Sequence, residues 1–140
     1  METGLVRKRV LHAIAASKGR AETRRQRSSE AEREYTAFLE TVAAPIARQV
    51  AAALKAEGYS FTVFTPGDGV RLALDRGRDD FIEFSLDSSG DRPQVIGRVS
   101  RTRGSRRLEE ERPIKADASP SEITDEDVLE FVVQAIEAWL

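Results

Sequence analysis

The apolar residues of the chain change their period at residues 59–87, which read YSFTVFTPGDGVRLALDRGRDDFIEFSLD. In this stretch apolar and polar residues alternate, as is typical of β-strands with one buried face, whereas helices repeat every 3.6 residues. Two segments, 66–69 and 77–79, are rich in glycine and aspartate and read as turns. The sequence therefore predicts strands at 59–65, 70–75 and 81–87.

The lengths of the two turns agree with the apolar pattern. A four-residue turn at 66–69 places Val63 opposite Leu72, and a three-residue turn at 77–79 places Leu72 opposite Phe84. Turn length fixes the register of a hairpin, and a slip of one residue would move every side chain to the other face. We therefore predict a single sheet with one apolar face.

Two further strands are predicted after residue 87. The fourth places Val95 and Val99 on the apolar face, and Gly104 marks a hairpin turn after it. The fifth covers 107–114 and includes Pro113, which suits an edge strand because proline lacks a backbone donor.

A long helix is predicted before the sheet, at about 30–57. Ser29 and Glu32 form a capping-box pattern at its start, and apolar residues follow at three- and four-residue steps. Pro45 lies inside it and predicts a kink or break near 41–45. Gly58 suits the left-handed residue that ends a helix.

A last helix is predicted at about 125–140, capped by Thr124 and Asp127. Two helices with apolar stripes and one apolar sheet face are best buried together. The predicted fold is α+β: a five-stranded antiparallel meander with a long N-terminal and a C-terminal helix packed on one face, a two-layer sandwich. Residues 29–140 form this single domain, and residues 1–28 form a basic N-terminal helix and arm.

The N-terminal segment combines an apolar stripe with positive charge. Residues 4–16 fit an amphipathic helix, and 17–28 a solvated arm or an exposed helix. The predicted partner-binding residues are Leu5, Val6, Val10, Leu11 and Ile14. The predicted polyanion-binding residues of this segment are Arg7, Lys8, Arg9, Arg24, Arg25 and Arg27.

Charge is distributed unevenly along the chain. Residues 1–29 hold eight Lys or Arg and two acids, whereas 116–140 hold seven acids and no Lys or Arg. Local fields of this kind select partners even when the net charge is near zero. The basic segment could be a solvated tail, a partner-binding helix or a phosphate- or membrane-facing segment. It could also meet the acidic C-terminal helix of another copy, which would give a homo-oligomer.

An arginine-rich hairpin is the second basic feature. Arg101, Arg103, Arg106 and Arg107 lie near its tip and are predicted to contact polyanions. The alternative is a solvated edge hairpin in which Arg98 pairs across to Glu109 or Glu111. Stacking of bases would have only two aromatic residues on the outer sheet face, which are Phe64 and Phe81.

The residues of ordinary catalytic and metal sites are scarce. The chain has no cysteine and a single histidine, His12, which lacks an orienting acid at helical spacing. Asp79, Asp80 and Glu83 are close together, but they follow a turn and begin a strand. We predict no catalytic residue, no cofactor, no metal site and no enzymatic activity.

The leading hypothesis is a non-catalytic binding module, a small accessory or adaptor protein that engages a protein partner through its N-terminal helix. The alternative is a nucleic-acid-binding protein that uses the basic arm and the arginine-rich hairpin. We expect a cytoplasmic protein without an integral membrane span, because the longest uncharged run of the helical part is far shorter than a bilayer requires.

Overall fold

The computed structural model describes residues 1–76 and 79–140. It contains three α-helices and five strands within those residues, which confirms the predicted α+β fold. The helices are α1 Thr3–Phe38, α2 Ala44–Ala56 and α3 Asp125–Ile136. The strands are β1 Phe61–Phe64, β2 Val70–Leu74, β3 Phe81–Asp87, β4 Gln94–Arg103 and β5 Arg106–Pro113.

The sheet is an antiparallel meander in the order β1-β2-β3-β4-β5. Val63 lies opposite Leu72, as the first turn predicts. The register of β2 and β3 differs from the prediction by two residues, since Leu72 lies opposite Ile82. The backbone N–H of Leu74 donates to the carbonyl of Asp80, and this pairing sets the shorter register. A shift of two leaves every side chain on its predicted face. The predicted turn at 77–79 lies partly outside the described residues.

The core lies between one sheet face and the three helices. At its centre Phe84 meets Phe131 of α3 edge to face, with ring centroids 5.9 Å apart. The buried core residues come from all layers: Tyr35, Phe38, Ala43, Ala44, Ala47, Val50, Leu54, Phe61, Val70, Leu72, Ile82, Phe84, Val95, Val99, Ile123, Val128, Phe131, Val132 and Ile136.

The N-terminal helix is much longer than predicted. It begins at Thr3 and continues through Ser29, which therefore does not cap it. Residues 17–28 are an exposed helix, one of the two predicted states. The capping box is not used because the preceding residues are mostly good helix formers, whose carbonyls accept from the first-turn amides of the expected helix.

Pro45 produces a widened turn rather than a break. Residues Leu39–Ala43 form a π-helical turn, and α2 begins immediately afterwards with Pro45 at its second position. Proline in a regular helix lacks a hydrogen bond and clashes with the preceding turn, and a π turn accommodates both effects. The irregularity predicted at 41–45 is therefore present, but the chain stays helical from Thr3 to Ala56.

The predicted signals at the end of α2 and at the start of α3 are both present. Gly58 has a φ of 91° and donates to the carbonyl of Lys55, while the N–H of Tyr59 donates to Leu54 over 2.9 Å. This is the Schellman arrangement. Thr124 caps α3, and its backbone N–H donates to Asp127, which lowers the pKa of that carboxyl. The final helix is shorter than predicted, because a 3₁₀ turn follows Ile136.

Tyr35 fixes α1 to the sheet. Its hydroxyl donates to the carbonyl of Asp68 over 2.6 Å and also lies 3.2 Å from the carbonyl of Phe84. Burial, helped by the negative charges of Asp68 and Glu83, raises the pKa of this phenol above its ordinary value of 10.0. The helix that carries the N-terminal segment is therefore anchored by a neutral, buried hydroxyl.

Replacing Tyr35 with phenylalanine tests this anchor. We expect a loss of about 1–2 kcal/mol in the free energy of unfolding at pH 7, because two carbonyls lose a donor. The raised pKa means that the unfolded chain releases the phenol proton first, so wild-type stability falls as pH rises above 10.0. The variant lacks this pH dependence. Above pH 10 the difference in unfolding free energy between the two proteins therefore narrows by up to about 1.4 kcal/mol per pH unit. Urea unfolding at neutral and alkaline pH measures it, and a gap that is independent of pH contradicts the assignment.

Candidate protein-interaction surface

The predicted partner-binding residues lie on a part of α1 that projects from the domain. Every residue from 1 to 20 is exposed, and the first buried residue of the helix is Ala31. At 1.5 Å per residue, the projecting part is about 40 Å long. Exposure of the large apolar side chains ranges from 44 to 54%: Leu5, Val6, Val10, Leu11 and Ile14.

Three of these side chains form a row along the helix. Val6, Val10 and Ile14 follow at four-residue steps, which places them on one side. Leu11 lies beside the row, whereas Leu5 points away from it. We call Val6, Val10 and Ile14 the N-terminal row. The predicted helix over 4–16 is confirmed, whereas only three of its five predicted partner-binding residues form one row.

Basic residues lie beside the N-terminal row and farther along the same helix. Within residues 1–76 and 79–140, the predicted basic residues of the segment form no ion pair. Their side chains are all exposed. These residues are Arg7, Lys8, Arg9, Arg24, Arg25 and Arg27.

The arginines of the β4–β5 hairpin differ from one another. Arg107 is held intramolecularly, since it pairs with Glu109 over 3.0 Å and its Nε donates to Ser100 over 3.2 Å. Arg103 lies opposite Arg106 next to the turn, and both are exposed. In the described part of the chain neither makes an ion pair.

Arg101 occupies the inner face of the same hairpin. It lies opposite Leu108 and is half-buried. Four arginines that are close in sequence are thus divided between the two faces and the tip of the hairpin. Of these four arginines, only Arg103 and Arg106 are both exposed and without an ion pair to another described residue.

The outer sheet face carries a cluster that the sequence did not indicate. Glu83 pairs with Arg71 and, over 3.7 Å, with Arg98. The guanidinium carbons of Arg71 and Arg98 lie 4.1 and 5.1 Å from the ring centroid of Phe81. Phe81 is covered and only 3% exposed, so it is not accessible to a base. Phe64 is exposed and remains available.

The predicted pairing of Arg98 was wrong. The register places Arg98 opposite Glu111, one of the two expected partners, but its guanidinium turns to Glu83 on the other neighbouring strand. Cation–π contact with Phe81 favours this orientation, because the guanidinium stacks on the ring while it pairs with the carboxylate.

The acidic residues near the start of β3 have structural partners. Asp80 is buried and accepts from the backbone N–H of Thr102 over 2.6 Å and from the indole of Trp139 over 3.3 Å. Asp79 lies 3.9 Å from Arg107. No group of potential metal ligands occurs in the part of the chain that the structure describes.

A second exposed apolar row lies on α3. Leu129 and Val133 are 42 and 41% exposed, and Leu140 beyond the helix is 63% exposed. We call these three residues the C-terminal row. Glu126, Glu130 and Glu137 are also exposed and lie beside it. The acidic charge of this region was predicted from the sequence, but the row was not. Its spacing of four residues, outside the main apolar stripe of the helix, could have indicated it.

A cleft of about 950 Å³ separates α1 and α2 from the β1–β2 turn. Tyr35 is part of its lining, together with the charged groups of Glu32, Glu40 and Arg48. The Tyr35 hydroxyl already donates a hydrogen bond to the carbonyl of Asp68 in the turn. The cleft was not predicted from the sequence, because its shape depends on how the helices and the turn pack against each other.

No family model, no curated protein and no solved structure matches this chain. The function must therefore be argued from the geometry of the chain itself.

One helical stretch has the length and hydropathy of a membrane span. Within the continuous helix Thr3–Ala56, an 18-residue window reaches a mean hydropathy of 1.2, and 33% of it is buried inside the domain. Only Glu40 and Arg48 are charged between residues 35 and 54, the part whose buried face packs on the sheet. Core helices pass the same criterion, and the absence of an integral span stays a prediction.

Proposed function

We propose that this protein is a non-catalytic binding module that engages a protein partner through the projecting part of α1. The observation that carries the proposal is the exposed N-terminal row on a helix of about 40 Å that extends away from the core. Burying a large aliphatic side chain contributes about 1.5–3 kcal/mol, so a partner that covers the row gains substantial affinity.

Helix stability supports the same proposal. An isolated helix in water gains little from propensity alone, and most helical stability in proteins comes from packing of an apolar face. The projecting part has an apolar row but no covering surface within its own domain. Its other end continues into the anchored segment around Tyr35 and Phe38, so the row is held in a defined direction. A preorganised helix of this kind loses less conformational entropy on binding than a flexible tail.

Affinity capture with three tagged proteins tests the proposal. The test variant is Val6→Asp/Val10→Asp, and the matched control is His12→Asp/Gln26→Asp, which changes exposed polar positions of the same helix. We expect the wild type and the control to retain a common partner, and the test variant to lose at least about 90% of it, since each aspartate places a charge in a desolvated contact. Equal recovery by all three proteins contradicts the proposal.

Deleting residues 1–28 should separate binding from folding. The hydrophobic core begins at Tyr35, and Ser29 with Glu32 can cap the shortened helix. We expect the melting temperature to change by no more than about 4 °C, equivalent to roughly 1 kcal/mol or less, while the captured partner disappears. Thermal unfolding followed by circular dichroism checks the first part. Cooperative unfolding lost on truncation would show that the segment is part of the domain.

Nucleic-acid binding is the second candidate, favoured by the exposure of Arg103 and Arg106 at the hairpin tip. Arg103→Ala/Arg106→Ala should weaken binding to a DNA duplex and lower the salt slope by about 2, because two phosphate contacts are lost. The matched control is Arg33→Ala/Arg48→Ala, which removes two exposed arginines elsewhere. Fluorescence anisotropy at several salt concentrations measures both. A wild-type protein that is not retained on heparin at low salt excludes this candidate.

A further inference from the structure

We infer that the partner of the N-terminal row is a second copy of this chain, and that the row docks against the C-terminal row on α3 of that copy. The inference rests on the proposed function, since it names the partner of the same surface. It is supported by two exposed apolar rows in one molecule, of which the N-terminal row has basic neighbours and the C-terminal row has acidic neighbours.

Each row presents three large, exposed apolar side chains. Val6 and Ile14 are eight residues apart, or about 12 Å along a helix. Leu129 and Val133 are four residues apart on α3, or about 6 Å, and Leu140 lies beyond the 3₁₀ turn that follows this helix. Two helices can therefore cross or align with both apolar rows covered. Neither row is covered by its own domain, as the exposures of 41–63% on the C-terminal row and 44–52% on the N-terminal row show.

The charges beside the rows are complementary. Arg7 lies three and four residues before Val10 and Leu11, which places it at the border of the N-terminal row. Glu126, Glu130 and Glu137 border the C-terminal row and, among the described residues, make no ion pair within the chain. Opposite charge across a helix contact steers association and suppresses wrong partners.

The same charges disfavour pairing of two N-terminal helices. Residues 1–29 hold eight Lys or Arg and two acids, so two such segments side by side repel one another. Residues 116–140, which include α3, hold seven acids and no Lys or Arg. Two cations from the preceding residues do reach α3, since Arg112 donates to Gln134 over 3.1 Å and Lys115 lies 3.4 Å from Asp127. Among the described residues, neither of them pairs with the three glutamates beside the C-terminal row. Within one molecule of this composition, the C-terminal row is the exposed apolar surface whose charge fits the N-terminal helix.

A contact within one chain is prevented by the continuous helix. Ile14 precedes the first buried helix residue, Ala31, by 17 positions, or about 25 Å of straight helix. The row is therefore carried away from its own domain and meets α3 of another molecule. The contact joins two different surfaces, so it occurs twice in a closed twofold dimer or repeats from copy to copy in an open assembly. In both arrangements assembly depends on protein concentration.

Sedimentation of the full chain over a range of concentrations tests the inference. We expect species larger than the monomer at about 50 mM salt and a shift toward the monomer at about 500 mM, where screening is strong. Two charge-reversal variants isolate the contact: Arg7→Glu/Lys8→Glu/Arg9→Glu and Glu126→Lys/Glu130→Lys/Glu137→Lys. Each alone should associate at least tenfold more weakly than the wild type.

Mixing the two variants provides the decisive measurement. The acidic helix of the first variant then meets the basic α3 of the second, and we expect assembly to return in the mixture. Glu32→Lys/Glu57→Lys/Asp91→Lys changes three exposed acids away from α3 and should assemble like the wild type. A circular dichroism melt confirms that each variant is folded.

A wild-type chain that is monomeric at all concentrations overturns the inference, and so does a mixture in which assembly does not return. The proposed function is judged separately by the capture experiment. If the N-terminal row captures a different protein while the purified chain stays monomeric, the proposed function stands and the identity of the partner as a second copy falls.

Discussion

Replacing Phe84 with alanine is expected to lower the free energy of unfolding by about 3–5 kcal/mol. Phe84 is 2% exposed and packs edge to face against Phe131. It joins the central strand of the sheet to α3, so its removal leaves a cavity that the surrounding elements cannot readily close. A loss of this size is a large share of the roughly 5–15 kcal/mol that stabilises a typical domain.

Phe64→Ala is the matched control for this substitution. Phe64 is on the outer face, is 53% exposed and lies in β1 at the edge of the sheet. We expect its removal to change the unfolding free energy by less than about 1.5 kcal/mol, because much of the ring is already in water. Urea unfolding of both variants measures the difference. Similar losses in the two proteins would show that the apolar face of the sheet is not the core.

Gly97→Ala is expected to destabilise the domain by about 1–3 kcal/mol, since it overpacks a tight contact. Gly97 lies opposite Phe84 in the sheet and beneath α3. A methyl carbon at this position would be 2.6 Å from Cε1 of Phe131 and 2.8 Å from Cδ1 of Ile114. Neither neighbour is the free end of a flexible surface chain, so the helix or the strand must shift.

Three further variants make the Gly97 prediction specific. Gly67→Ala adds the same methyl group where nothing lies within 4 Å, and we expect a change within about 0.5 kcal/mol. Phe131→Leu in the Gly97→Ala background should be less harmful than Phe131→Leu alone, because the added methyl occupies part of the space that the ring leaves. Chemical unfolding of all four proteins tests this. Additive losses for the pair would contradict a direct contact.

The sheet was largely predictable from local sequence because alternation and turn length are local properties. The pairing of Val63 with Leu72 follows from one turn, and it is observed. The pairing of Leu72 was misplaced by two residues on β3, where Leu74 bonds to Asp80. The side chains lie on the predicted face of the sheet in both pairings, because a register shift of two residues leaves each side chain on the same face.

The helices show where local reasoning fails. A capping box at Ser29 is compatible with a helix start, but it does not stop a preceding helix from continuing through it. Pro45 predicted an irregularity at the correct place, but its form, a π turn, depends on how both halves of the helix pack on the sheet.

The surfaces were predicted in part. The exposed apolar side chains of the N-terminal helix and the free arginines at the hairpin tip were both identified from spacing and charge. The stacking of Arg71 and Arg98 on Phe81 was not predicted. These arginines are 10 and 17 positions from Phe81 along the chain, and they meet it only after the sheet has formed. The C-terminal row was not predicted, although Leu129 and Val133 lie outside the apolar stripe from which the same helix was predicted.

The N-terminal helix continues into the domain without a break, and this affects how fast the molecule diffuses in solution. A compact body with a stiff rod of about 40 Å attached experiences more friction than a sphere of equal mass. A single copy should therefore elute early from a sizing column and imitate a larger particle. Mass must be measured independently of shape, by light scattering or sedimentation equilibrium, before any elution volume is interpreted as assembly.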